Sequence, residues 1–155
     1  MHAGCGRRNG GPGRASLRPV PAARSRAGGL RAPARPATGK ERDRIATLKA
    51  LGCLCCGLNR AAGRPALPLA PAEAHHLLSG GRRRGHGFTI GLCPWHHRGV
   101  PPYPARTDAL IEQFGPSVAT GSRAFHAMYG SDDALLAYQN AQLAEVQRLI
   151  EEAMV

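Results

Sequence analysis

Two residue pairs in this sequence have the spacing of zinc ligands. Cys53 and Cys56 form a Cys-x-x-Cys pair, and "CPWH" repeats the same interval with Cys93 and His96. Each pair can span one turn of backbone around an ion, so two pairs joined by a loop can close a tetrahedral Cys3His site. The alternatives are a redox Cys-x-x-Cys motif and a disulfide. A redox motif normally belongs to a βαβ unit, which this region lacks, and the odd number of cysteines disfavours disulfides. We therefore predict structural zinc, and the spacing favours Cys56 over its neighbour Cys55 as a ligand.

A second group of residues suited to chemistry consists of histidines. Residues 73–100 contain five of the chain's seven histidines, and one of the five is the predicted zinc ligand. The other four are His75, His76, His86 and His97. Imidazoles bind divalent metals and accept protons near neutral pH, so this surplus indicates catalysis. The alternative is a non-catalytic zinc-finger DNA-binding protein in which these histidines are structural.

The sequence around the histidines predicts the elements that position them. "EAHHLL" is typical of the end of a strand, and "SGGRRRGHG" is typical of a glycine-rich loop. "FTIGL" predicts a second strand, and "CPWHHRG" predicts the start of a helix. The predicted order is therefore strand, loop, strand and helix, with histidines at the end of the first strand, at the exit of the loop and on the helix.

Helices are predicted on both sides of this unit. Thr38 and Glu41 have the spacing of a capping box before a short helix that ends near Gly52. Downstream, "TDALIEQFG" and "SRAFHAMYG" each predict a short helix that ends at glycine. A longer amphipathic helix of about 20 residues is predicted after Ser131. Its apolar stripe is expected to face the core, with pairing between chains as the alternative.

The first 37 residues have a different composition from the rest of the chain. Up to Lys40 there are eight arginines, one lysine and no acidic residue, whereas the remainder contributes only +2 to the net charge of +11. Such a segment buries too little apolar surface to offset its ordering entropy, so residues 1–37 are predicted to be a disordered basic arm. A basic arm of this kind is suited to binding nucleic acid or another partner. The alternatives for this segment are a transit peptide or a wrongly assigned start. The sequence contains no apolar run long enough to predict a membrane span.

The order of these elements resembles the HNH nuclease superfamily, whose ββα-metal unit has this layout. The wider set of segments is similar to the recombination enhancement, RecA-dependent nucleases: "ALGCLCC", "EAHHLLSG", "GLCPWHHRG" and "SRAFHAMYGSDDALL". The resemblance implies a small α+β fold, in which a zinc-stapled ββα-metal HNH unit is flanked by helices. Residues 38–155 would then form the nuclease domain.

The resemblance also implies roles for the histidines. His75 and His97 would bind the catalytic metal, and His76 would be the general base. His86 stands where the superfamily has an asparagine, and it could orient the base or become a third ligand. Mg²⁺ or Mn²⁺ is expected as the catalytic metal, because few protein ligands leave open positions for water and substrate oxygens.

The arginines near the histidines are candidates for contacts with DNA phosphates. Arg82, Arg83 and Arg84 lie in the glycine-rich segment, and Arg98 follows the last histidine of the predicted helix. By resemblance, the protein would be a metal-dependent DNA endonuclease that acts on RecA-bound DNA in recombination or repair, in the cytoplasm of a bacterium or encoded by a phage. A RecA-independent HNH endonuclease is the alternative within the same class. The oligomeric state does not follow from the sequence.

Overall fold

The protein combines helices with two small antiparallel sheets. The structure is a computed structural model, and it describes residue 1, residues 35–68 and residues 72–155. The helices in these ranges are Gly39–Leu51 (α1), Leu54–Ala61 (α2), Pro94–Arg98 (α3), Thr107–Phe114 (α4), Ser122–Tyr129 (α5) and Asp132–Ala153 (α6). The strands are Glu73–His76 (β1), Leu78–Ser79 (β2), Arg82–Arg83 (β3) and Thr89–Leu92 (β4). The predicted disordered arm lies outside the described residues from position 2 to position 34.

Helix α1 begins at the predicted capping box. The Thr38 hydroxyl accepts a hydrogen bond from the Glu41 amide at 3.3 Å, and the Glu41 carboxylate accepts one from the Thr38 amide at 2.8 Å. Two amides at the helix start are satisfied in this way, and the acidic side chain also suits the positive end of the helix dipole. The helix ends at Gly52, as the sequence predicts.

The main sheet pairs β1 with β4 in antiparallel register. His75 lies opposite Ile90, and His76 lies opposite Thr89. All four residues of β4 are buried, because helices α1 and α6 both pack on this strand. The two strands therefore form the predicted strand pair, and helix α3 follows β4 directly.

The segment between the two long strands is not a simple loop. Strands β2 and β3 form a short hairpin in which Leu78 lies opposite Arg83. The prediction that Arg82 and Arg83 lie in a glycine-rich loop is wrong, because these two residues form β3 itself. Gly80 and Gly81 connect the strands with φ angles of 55° and 75°, which are the positive values that a tight two-residue hairpin turn needs.

Helix α6 contributes to the core only through its first half. Its buried residues are Leu135, Leu136 and Gln139, and the Gln139 side-chain oxygen accepts a hydrogen bond from the Gly91 amide at 2.9 Å. Farther along, Ile150 keeps 47 % of its surface exposed. The prediction that the whole apolar stripe faces the core is therefore wrong at Ile150, while Leu143 and Val146 are half-buried. No helix among the described residues is long and apolar enough to span a membrane.

The close packing of α1 on β4 predicts an effect of adding a single methyl group at Gly91. A Cβ atom there would lie 2.8 Å from the Gly52 carbonyl oxygen and 3.0 Å from that of Leu48. Gly91→Ala should lower the free energy of unfolding by about 1–3 kcal/mol, measured by denaturant titration, because backbone atoms cannot move aside cheaply. Gly57→Ala is the matched control, because its Cβ would meet no atom within 4 Å on helix α2. The control should be neutral or stabilising by up to about 1 kcal/mol, and equal effects of the two changes would contradict the packing argument.

Candidate functional site

Four side chains converge inside the core as a possible metal-binding site consistent with zinc. The His96 Nδ1 atom lies 3.4 Å from the Cys53 sulfur, 3.6 Å from that of Cys56 and 3.2 Å from that of Cys93. All four ligand atoms lie within 4.8 Å of one another, and all four residues are buried. Zinc bonds of about 2.3 Å to sulfur and about 2.0 Å to nitrogen put tetrahedral ligand atoms about 3.5–3.8 Å apart. The separations therefore match a single central ion.

Each ligand pair sits at the start of a helix. Cys53 is the N-cap of α2 and Cys93 is the N-cap of α3, so Cys56 and His96 lie in the first turns. The spacing of three residues puts both members of a pair on the same side of the helix start. Helix α2 is not predicted from the sequence. The ligand spacing of Cys53 and Cys56 at its start is predicted.

The close approach of the sulfurs shifts their pKa values in opposite directions. Burial alone would raise the pKa of Cys53, but hydrogen bonds from Cys55, Cys56, Cys93 and His96 hold it well below its usual value. Hydrogen bonding to Cys53 raises the pKa of Cys56 in turn. The sulfurs therefore compete for protons, and a dication between them is what allows all three to be thiolates. Burial raises the pKa of Cys55 well above its usual value, and Cys55 is not one of the four converging ligands.

The second nitrogen of His96 is held by the protein. Its Nε2 atom lies 3.0 Å from the Phe114 carbonyl oxygen and 3.1 Å from the Tyr129 hydroxyl. A carbonyl only accepts, so Nε2 carries a hydrogen, and Nδ1 is the nitrogen that faces the sulfurs and can bind an ion. The same carbonyl accepts from the Tyr129 hydroxyl at 2.9 Å and from the Asn59 amide at 2.8 Å. The end of helix α4 thus fixes the orientation of the candidate zinc ligand.

The other four histidines of residues 73–100, which lie outside the Cys3His cluster, form two pairs. In the first pair, His75 from β1 and His97 from α3 meet edge to face, with ring centroids 4.9 Å apart. Burial lowers the pKa of His75 to about 4, and a smaller electrostatic effect of the adjacent His97 ring acts in the same direction. His75 is therefore a neutral imidazole at physiological pH, which is the form that binds metals.

In the second pair, His76 from β1 meets His86 from the segment before β4. The His76 Nε2 atom lies 3.2 Å from the His86 Nδ1 atom. The His86 Nε2 atom lies 2.9 Å from the Arg35 carbonyl oxygen and donates to it, so a neutral His86 presents its Nδ1 to His76 as an acceptor. Burial lowers the pKa of His76, and the charge of Arg83 adds to this effect.

One residue of the site is not among those predicted from the sequence. The Glu73 carboxylate accepts a hydrogen bond from His97 Nδ1 at 2.8 Å and two from Arg98 at 2.9 and 2.6 Å. The hydrogen bonds from Arg98 are the main cause of a lowered pKa for Glu73. A signal was present in the sequence, since residues two apart on a strand share a face and Glu73 precedes His75 by two.

The candidate arginines differ in their surroundings. Arg82 and Arg83 are exposed on β3. Arg84 instead forms an ion pair with Asp133 at 2.6 Å, and its guanidinium lies 4.4 Å from the centroid of the Phe88 ring. The pair with Asp133 is exposed on one side, so it contributes little to stability and can be exchanged for another anion.

A family model described as "Recombination enhancement, RecA-dependent nuclease" matches residues 37–144. The chain belongs to this family. The resemblance drawn from the sequence is thereby confirmed, and HNH superfamily placement is compatible with it. Membership implies a RecA-dependent nuclease with a role in recombination, so DNA and RecA are its implied partners. No curated protein matches the chain. The matched residues include the Cys3His cluster and both histidine pairs.

The geometry of the cluster predicts that the neighbouring residues Cys55 and Cys56 differ in their importance for zinc binding. Cys56→Ser should abolish stoichiometric zinc binding and cooperative melting, measured by elemental analysis and thermal denaturation. Structural zinc contributes about 10–16 kcal/mol, which is comparable to the whole stability of a small domain. Cys55→Ala is the matched control: it should keep one zinc per chain and lose only about 1 kcal/mol. Zinc retained in full by Cys56→Ser would show that Cys56 is not a ligand.

Proposed function

We propose that this protein is a metal-dependent DNA endonuclease of the HNH type, which hydrolyses phosphodiester bonds in RecA-bound DNA. One observation carries the proposal. Two histidine pairs, His75 with His97 and His76 with His86, lie outside the Cys3His cluster on the strand, strand and helix unit. A DNA-binding zinc finger needs the cluster alone, so paired imidazoles beside it favour catalysis.

The pair of His75 and His97 suits a divalent catalytic ion. His75 is neutral, and the contact of His97 Nδ1 with Glu73 leaves the His97 Nε2 lone pair available. Two imidazole ligands leave most coordination positions open, which suits Mg²⁺ with its water shell or the more imidazole-tolerant Mn²⁺. When bound, the ion would neutralise charge that develops on the scissile phosphate and on the leaving oxygen.

His76 is assigned as the general base. An imidazole can accept the proton of the attacking water at neutral pH, and its neighbour His86 can hold it in place through the 3.2 Å contact. His86 is itself anchored on the Arg35 carbonyl. This anchoring supports an orienting role for His86, comparable to that of the asparagine in related enzymes, over a role as a third metal ligand.

DNA would approach along the face that carries β3. Arg82 and Arg83 are exposed there, and Arg84 can exchange Asp133 for a phosphate oxygen. Such contacts hold the backbone of DNA without reading its sequence. The basic arm of residues 1–37 would add affinity that falls with salt. Residues 38–155 are proposed as the nuclease domain, because Arg35–Val155 forms one compact unit.

We also propose a role for the zinc ion and a cellular location for the reaction. Zinc at the Cys3His cluster would be structural, since four protein ligands leave no open position for substrate. The reaction would take place in the bacterial cytoplasm during recombination or repair, because the RecA filament is the implied partner.

The test of the proposed function is strand cleavage by the full-length protein with RecA, ATP and Mg²⁺ or Mn²⁺. His76→Ala should reduce the cleavage rate at least about 100-fold, because general-base catalysis typically contributes 10²–10⁴-fold. Its zinc content and DNA affinity should not change. His126→Ala is the matched control: His126 donates to the Gly130 carbonyl at 3.0 Å and belongs to neither pair, so its loss should leave the rate unchanged.

The same assay separates the alternatives. Cleavage that proceeds equally well without RecA would support a RecA-independent HNH endonuclease. DNA binding without cleavage under any condition would support the zinc-finger interpretation. A fully active His76→Ala variant would refute the assignment of the general base.

A further inference from the structure

We propose that Glu73 is a positioning residue that orients His97 for metal binding, and that Arg98 holds Glu73 in place instead of binding DNA. The inference rests on the proposed role of His97 as a metal ligand. Glu73 is not among the residues predicted from the sequence, and Arg98 is among those predicted to contact DNA phosphates.

Strand pairing and helix placement bring the three residues together. Glu73 begins β1 opposite Leu92, the last residue of β4, and helix α3 starts two residues after Leu92. The last turn of this short helix therefore returns over the start of β1. Glu73 and His75 lie on the same face of β1, since they are two residues apart. His97 is thus placed between the carboxylate of Glu73 and the ring of His75.

The contact with Glu73 decides which nitrogen of His97 is available. A carboxylate only accepts, so at 2.8 Å His97 Nδ1 carries a hydrogen, and in the neutral ring Nε2 is then the nitrogen with the lone pair. The negative charge also makes Nε2 a stronger ligand, as is common where a carboxylate supports a metal-binding histidine. Without Glu73, the ring could rotate, and a larger share of His97 would have the wrong tautomer.

Arg98 is committed to the same carboxylate. Its Nε and Nη2 atoms donate to the two oxygens of Glu73 at 2.9 and 2.6 Å, which is the bidentate geometry of a strong pair. Among the four arginines considered for DNA contacts, Arg82 and Arg83 form no ion pair within the described residues, so β3 carries unpaired positive charge. The pair with Glu73 occupies the Nε side of the guanidinium, and a phosphate that drew Arg98 away from Glu73 would also release His97.

Mn²⁺ titration of the full-length, zinc-loaded protein without DNA tests the role of Glu73, with the free ion followed by electron paramagnetic resonance. Glu73→Ala should weaken Mn²⁺ binding about 10–100-fold, as loss of a supporting carboxylate typically does. Glu73→Gln should fall in between, because its amide oxygen still accepts from Nδ1 while the charge is lost. Zinc content and melting temperature should not change. Unchanged Mn²⁺ affinity in Glu73→Ala would overturn the inference.

His97→Ala distinguishes a failure of this inference from a failure of the proposed function. If wild type binds Mn²⁺ and His97→Ala does not, the metal assignment holds and the Glu73 variants test the inference alone. If His97→Ala binds Mn²⁺ as well as wild type does, the ion is not held by His97, and both the metal assignment and the inference fail.

The role of Arg98 is tested against that of Arg83 by DNA binding at several salt concentrations, with zinc retained and no other divalent ion present. Arg83→Ala should lower DNA affinity and reduce the salt dependence by about one counterion. Arg98→Ala should leave DNA affinity unchanged but weaken Mn²⁺ binding severalfold. A loss of DNA affinity in Arg98→Ala with unchanged Mn²⁺ affinity would show that Arg98 is a phosphate contact and would overturn its assignment here.

Discussion

The rest of the structure depends on the convergence of three cysteines and one histidine at a single point in the core. Cys56 and Cys93 are 37 residues apart in sequence, yet their sulfurs lie 4.0 Å apart. The cluster joins the starts of two helices and is surrounded by buried apolar residues such as Trp95 and Leu92. A domain of this size buries little apolar surface, so one strong constraint between distant segments accounts for much of its order.

This constraint also orients the candidate catalytic residues. His96 points into the cluster, and successive residues on a helix are rotated by about 100°. His97 is therefore directed away from the cluster and toward β1, where it meets His75. Adjacent residues on a strand point to opposite faces, so His76 finds a different partner, His86. The alternation of side chains along β1 thus places the two histidine pairs on opposite faces of the strand.

Positive charge is less freely available near the site than the number of arginines suggests. Arg84 is paired with Asp133, and Arg98 is paired with Glu73. Arg82 and Arg83 remain exposed on the two-residue strand β3, which follows the turn formed by Gly80 and Gly81. The proposed contacts with the DNA backbone would therefore lie on the β3 side of the histidines, while Arg98 holds Glu73 in place.

The sequence by itself determined the features that depend on local spacing. The ligand intervals, the capping box of Thr38 and Glu41, and the order of strand, strand and helix all follow from residues a few positions apart. Only the tertiary structure decided that Glu73 supports His97, that the Arg35 carbonyl anchors His86, and that the end of α6 leaves the core. Those contacts join residues far apart in the chain, and they depend on strand register and helix packing, which local patterns do not encode.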